Sequence, residues 1–188
     1  MSENIIEILS HQQGIEHLSK VDPNTQSIQE KQSDAINLLQ AAIPSVLAGF
    51  YMYSRNDESA KMIADTNGKQ AWIDTLFGTE KTTLLNRIAI YAAASLKEVE
   101  TKMEEIANET VIVLKDNSGN TGAGIKTLLT NQRNSILQYL PGAIGIGDIL
   151  NDSTLDDRTN KMQGPVSSLM HKIEKQFTSA DINDKKNF

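Results

Sequence analysis

Ile36-Asn37-Leu38-Leu39-Gln40-Ala41-Ala42-Ile43-Pro44 and, about a hundred residues later, Asn134-Ser135-Ile136-Leu137-Gln138-Tyr139-Leu140-Pro141 spell the same phrase. Each is an apolar-faced helical run that enters an aliphatic-Pro step. Proline lacks a backbone donor and disfavours helical geometry in the residue before it, so each phrase predicts a kink or a helix boundary. Small, apolar, Gly-containing runs follow both prolines, Val46-Leu47-Ala48-Gly49 and Ala143-Ile144-Gly145-Ile146-Gly147. Small residues let helices approach closely, and the phrases read as packing signals.

Outward from these phrases the helical period continues almost everywhere. Ile5, Ile8, Leu9, Ile15 and Leu18 predict a first helix with Gly14 as its weak point, closed by Asp22-Pro23-Asn24. Ile28, Ala35, Leu39 and Ile43 predict a second, bent at Pro44 into Phe50-Tyr51-Met52-Tyr53. Asn56 or Asp57 is placed to cap a short helix carrying Ala60, Ile63 and Ala64, and Asn67-Gly68 turns the chain into Ala71 to Gly78, which holds the one Trp, Trp72. Thr79 is placed to cap the helix of Leu84, Ile88 and Tyr91. Ser95-Leu96-Lys97-Glu98 has the spacing of a capping box.

The helix so opened carries Leu96, Val99, Met103, Ile106, Thr110 and Val113, with Glu100, Glu104, Glu105 and Glu109 on a face that reads as solvated. Its end, Thr110-Val111-Ile112-Val113-Leu114, is β-branched enough for a strand, but the helical period runs through it. Asp116 to Gly124 reads as a Gly/Asn/Ser loop and as the hinge if the chain has two lobes. Ile125, Leu128, Leu129, Gln132, Ile136 and Leu140 form the helix entering Leu140-Pro141-Gly142. Ser153 is placed to cap a further helix, Gly164-Pro165 interrupts it, and Val166, Leu169, Met170, Ile173 and Phe177 predict a last one. Residues 178–188 have the composition of a mobile polar tail.

At 188 residues the chain is long enough to bury a core without staples, and a chain of this size hides roughly 70% of its unfolded surface. It has no cysteine, which removes disulfides, thiolate ligands and Cys nucleophiles and fits a reducing compartment. Against 24 Asp+Glu the 18 Lys+Arg leave a net charge of -6, and the scattered cations form no stripe for a phosphate backbone, which predicts no nucleic-acid partner. The start, Met1-Ser2-Glu3-Asn4-Ile5-Ile6-Glu7, is acidic where a secretory signal is basic, and no window reads as a membrane span. The expected address is the cytoplasm.

Chemistry-bearing motifs are few. Gly119-Asn120-Thr121-Gly122-Ala123-Gly124-Ile125-Lys126-Thr127 approaches a phosphate-binding loop, but Ile125 separates Gly124 from Lys126 and turns the lysine away. His11, His17 and His171 are too few and too far apart for a local metal site, and Asp116-Asn117-Ser118-Gly119-Asn120 lacks the ligand spacing of a calcium loop. The expectation is no catalytic residue, no metal and no cofactor. Phe50, Tyr51, Tyr53, Trp72 and Phe77 cluster in the sequence; they read as core packing, with Tyr51, Tyr53 and Trp72 as the alternative partner-binding residues.

Taken in order, Ala42-Ile43-Pro44-Ser45-Val46-Leu47-Ala48-Gly49, then Leu76-Phe77-Gly78, then Leu128-Leu129-Thr130-Asn131-Gln132 through Leu140-Pro141-Gly142 make residues 28–150 resemble the YidB-like bacterial domain family of unknown function. The chain departs from that pattern at Ile106-Ala107-Asn108-Glu109-Thr110, where the family usually has a third Ala-Pro step. The family defines no catalytic residues to carry over. Some relatives carry a peptidoglycan-binding domain, so the resemblance also implies an envelope- or secretion-associated accessory protein as an alternative.

The sequence therefore predicts an all-α fold, an irregular array of seven to nine short helices in one lobe or two. Residues 1–177 would form one YidB-like domain. The expected function is a non-enzymatic bacterial protein-interaction or scaffold domain, with a protein partner or its own copies; a small-molecule-binding domain is the further alternative.

Overall fold

The fold is organised around one helix that a local rule would have broken. In the computed structural model, which describes residues 4–28 and 32–156, Asp34–Ser54 is a single α-helix with Pro44 inside it. Every residue from Leu39 to Phe50 is buried. An internal proline costs a helix about 3 kcal/mol; apolar burial on all sides of the turn outweighs that loss. At Leu140-Pro141 the other outcome holds: the helix Gly122–Tyr139 ends, Leu140 is extended (φ -84, ψ 119), and Gly142–Ile144 forms a 3-10 turn. One phrase thus gives a continuous helix in the first case and a helix end in the second.

All the helices among the described residues are α or short 3-10, and none of these residues is in a strand. The α-helices are α1 Ile5–Gln12, α2 Asp34–Ser54, α3 Asp57–Asp65, α4 Trp72–Phe77, α5 Lys81–Ala92, α6 Leu96–Asn117, α7 Gly122–Tyr139 and α8 Ile146–Leu150. The all-α irregular array is as expected, although α2, α6 and α7 are long rather than short. Helix α2 is the central pillar and packs against α5, α6 and α7, while α3 lies on α7 and α1 on α6. By length and apolarity α2 could cross a membrane (mean hydropathy 1.4), contrary to the sequence expectation of no such stretch; 61% of that window is covered by the other helices.

Local signals set most boundaries. Asn4, Ser33, Asn56 and Thr121 cap α1, α2, α3 and α7 through side-chain oxygens, and Ser95 with Glu98 closes the capping box of α6. Helix α6 runs through its β-branched end to Asn117. The first helix stops short of Leu18, because Gly14 (φ +78) ends it in a Schellman arrangement, with the Gly14 N–H on His11 O and the Ile15 N–H on Ser10 O, both at 3.0 Å. Leu18 and Val21 are still buried, but from a non-helical arm. Thr79 caps nothing, since a 3-10 turn over Gly78–Glu80 leads straight into α5. Asp152, not Ser153, caps the turn Ser153–Leu155.

The expected loop from Asp116 to Gly124 shrinks to Ser118–Thr121, and it divides nothing, because Met1–Asp156 is one compact unit. Gly122 serves close packing rather than a hinge: a Cβ there would lie 2.7 Å from the Lys61 backbone nitrogen of α3. The last helix expected from the sequence and the polar tail 178–188 lie outside the described residues.

Buried glutamines tie the N-terminal arm to this frame. Gln40 on α2 accepts from the Ser19 N–H (2.9 Å) and donates to Ser19 O (3.0 Å) and to Tyr139 O. Gln132 on α7 accepts from the Ile5 N–H at 3.0 Å. The Val21 N–H reaches Gln138 O at 2.8 Å, and the Gly142 N–H reaches Gln26 O at 2.9 Å. The carbonyls at the end of α7 are orphan acceptors of a terminated helix, and the arm and Gln40 supply the donors.

Candidate functional site

Of the aromatic residues singled out from the sequence, Phe50, Tyr53 and Trp72 come together, and Phe50 and Trp72 belong to the core. Trp72 is fully buried, 5.2 Å from Phe50 in a tilted pair and 6.4 Å from Tyr53 edge-on. Tyr51 and Tyr53 are half-buried: Arg133 lies over the Tyr51 ring at 6.0 Å, and the Tyr53 hydroxyl donates to Met62 Sδ at 3.2 Å. Trp72 is therefore not available to a partner in this conformation. Its indole N–H has no hydrogen-bond partner among the described residues.

The surface feature that stands out is the outward stripe of α6. Steps of three and four place Lys97, Thr101, Glu105, Asn108, Ile112 and Asp116 along one side of that helix. At its N-terminal half they border a groove of about 820 Å³, whose other wall is Asp34, Ala35, Leu38 and the Ala92-Ala93-Ala94 corner. At its C-terminal half they border a second groove of about 760 Å³, closed by Thr66, Asn67, Gly68 and Lys69. Thr101 and Glu105 line both, so the two make one trough along the helix.

The wall of the second groove is pinned by three polar residues of α6, of which Glu104 reads as solvated surface in the sequence. The Glu104 carboxylate accepts from the Trp72 and Ile73 N–H groups at 3.0 and 2.9 Å, capping α4 from another helix. Asn108 accepts from the Gln70 N–H (2.9 Å) and donates to Gln70 O (3.1 Å), and Lys115 Nζ donates to Thr66 O at 2.8 Å. The acidic face of α6 is thus partly structural, which sequence reasoning missed; the partners lie too far away in the chain for any spacing rule to find them.

Electrostatically the stripe is a set of local pairs. Glu105 is held below the ordinary carboxyl value chiefly by its hydrogen bond from Lys102, and Glu98 chiefly by the Ser95 hydroxyl. Lys81 bridges Asp74 (2.8 Å) and Glu100 (2.6 Å), and these hydrogen bonds raise its pKa. Gln13, just past the end of α1, donates to Glu109 at 2.7 Å and accepts from Lys102 at 3.2 Å.

The other sequence candidates are dispersed. Lys126, of the loop that approached a phosphate-binding motif, pairs with Asp57 at 2.6 Å. His11 and His17 are exposed, and His171 lies outside the described residues. Among the described residues no group of three or more His, Cys, Asp or Glu is placed to hold a metal ion.

Of the four large apolar side chains exposed among the described residues, one lines this trough. The four are Met62 (51%), Ile90 (84%), Leu96 (47%) and Ile112 (59%). Ile112 lines the second groove; Leu96 adjoins Ser95 and Lys97 of the first, and Ile90 precedes its Ala92 by two residues. Met62 lines a hollow of about 490 Å³ on the other side of Thr66 and Asn67.

The chain matches no family model, no curated protein and no solved structure.

Proposed function

We propose that this chain is a non-enzymatic protein-interaction or scaffold domain that receives a helical segment of a protein partner in the trough along α6. The observation that carries this reading is exposed Ile112 in the second of two grooves that join along α6, with exposed Leu96 beside the lining of the first. Apolar residues rimmed by charge are the usual make-up of a helix-accepting groove. Mixed charges at the rim, Lys97, Lys102, Glu98 and Glu105, would orient such a segment rather than supply most of its affinity.

The test is a photo-crosslinking residue placed at Ile112 in the native host, with Ile90→Asp and Leu96→Asp variants beside it and a crosslinker at exposed Glu58 as the off-site control. A discrete protein adduct at Ile112, absent at Glu58 and lost in the double variant, is the expected result. No adduct, together with no self-association in sedimentation, would sink the reading. Fractionation of the same cells separates a cytoplasmic scaffold from an envelope-associated one.

A further inference from the structure

Asn67-Gly68 is the one asparagine-glycine step in the chain, and it sits on the rim of the α6 trough. Both residues are exposed. Gly68 has φ +85, and a Cβ built on it would meet nothing within 4 Å, so the space around its backbone is open. The Asn67 side-chain amide is held only by a 3.3 Å hydrogen bond to Asp65 O.

We propose that Asn67 is a site of spontaneous deamidation that converts position 67 on this rim from neutral to anionic. The deprotonated backbone nitrogen of Gly68 attacks Cγ of Asn67, and glycine presents no Cβ to obstruct the approach. The new N–Cγ bond closes a succinimide as the Cγ–Nδ2 bond breaks, and ammonia leaves with a proton from water. Water then opens the ring at one carbonyl or the other, giving an aspartyl or an isoaspartyl linkage at position 67. No redox partner is involved.

The surroundings make the two products unequal. Thr66 is clamped by Lys115 on its carbonyl and by its own hydroxyl on Met62 O (2.7 Å), and Gln70 is clamped on both sides by Asn108. An isoaspartyl linkage adds a methylene to the backbone between those clamps, so one of them must yield. The aspartyl product leaves the backbone length unchanged and adds only charge.

The experiment incubates the full chain under native conditions at mildly alkaline pH and follows each asparagine by peptide mass spectrometry, with enzymatic isoaspartyl methylation to separate the products. Asn67 should convert about tenfold or more faster than exposed Asn24 or Asn117, a difference of roughly 1.4 kcal/mol in barrier. Asn67→Gln should abolish the fast phase without loss of fold, the side chain being exposed. In the isolated isoaspartyl form the Gln70 amide should exchange hydrogen about tenfold faster than in an Asn67→Asp variant. Conversion of Asn67 at the rate of Asn24 and Asn117, in a chain whose urea-unfolded form does convert at Asn67, would overturn the proposal. Equal Gln70 exchange in the two products would overturn the unequal effect argued from the clamps.

Discussion

Gln40 Nε2 donates to the carbonyl of Tyr139 across 2.5 Å, joining the two copies of the repeated phrase to each other. The same amide also pairs with both backbone groups of Ser19, so one buried side chain holds α2, the end of α7 and the N-terminal arm together. The repetition is then a matter of contact rather than of duplication, because the copies have different backbones and meet through a side chain that only the first contributes.

Gln40→Leu should be among the most destabilising single changes. It removes the partners of the Ser19 N–H, Ser19 O and Tyr139 O at a fully buried position, and loss of these partners should cost about 2–4 kcal/mol. Chemical denaturation should show a lower midpoint with an unchanged slope. Stability within experimental error of the parent would contradict the structural role.

Glu104→Ala should loosen α4 without unfolding the molecule, at a cost of about 1–2 kcal/mol for the lost cap. Trp72 reports on it directly, since its own N–H is one of the two capped groups. The parent should show blue-shifted, poorly quenched emission, and the variant a more quenchable one. Identical quenching in both would argue that the cap is dispensable.

Stability should fall at both ends of the pH scale. Glu98 and Glu105 are depressed from 4.5, the first chiefly by Ser95 and the second chiefly by Lys102; Asp152 is depressed from 3.8, chiefly by its hydrogen bond from Thr154. A depressed carboxylate contributes stability above its unfolded value and loses it as the pH falls through the folded one, so the acid loss begins below the ordinary values. Lys81, raised from 10.5 chiefly by Asp74, contributes below that value and loses its share as the pH rises through the raised one. All lie near the surface, and each effect is small. Urea midpoints against pH should show the acid loss shrink in Glu105→Gln and Asp152→Asn, and the alkaline loss shrink in Lys81→Met.

Ala93 ends α5 in the left-handed region (φ 51, ψ 37). Ala93→Gly should raise stability by about 0.5–1 kcal/mol, because glycine avoids the Cβ penalty there. A rise in melting temperature checks this; a fall would mean that the entropy of the glycine in the unfolded chain outweighs the relieved strain.

What could be read from the sequence was local. Asn56 as a cap and the Ser95–Glu98 box act within one turn, and each appears where its spacing placed it. Pro44 left open a kink or a boundary, and the choice of a continuous helix there depends on burial that is tertiary. Glu104 misled for the related reason that its partners, Trp72 and Ile73, lie about thirty residues away. Gln132 was placed in the apolar row of its helix by spacing alone; that it meets the Ile5 amide depends on where the arm folds back. The trough itself left no mark beyond Ile112, whose exposure a β-branched helical run does not announce.

The burial of α2 has a consequence for how the chain is made. Synthesis runs from the N-terminus, so α2 emerges before α5, α6 and α7, the helices that cover it. Until Tyr139 has left the ribosome, an apolar helix of membrane-spanning length has no complete shelter of its own. Folding of this domain therefore waits for α7 to emerge, and until then α2 is the apolar surface the nascent chain has to keep from other contacts.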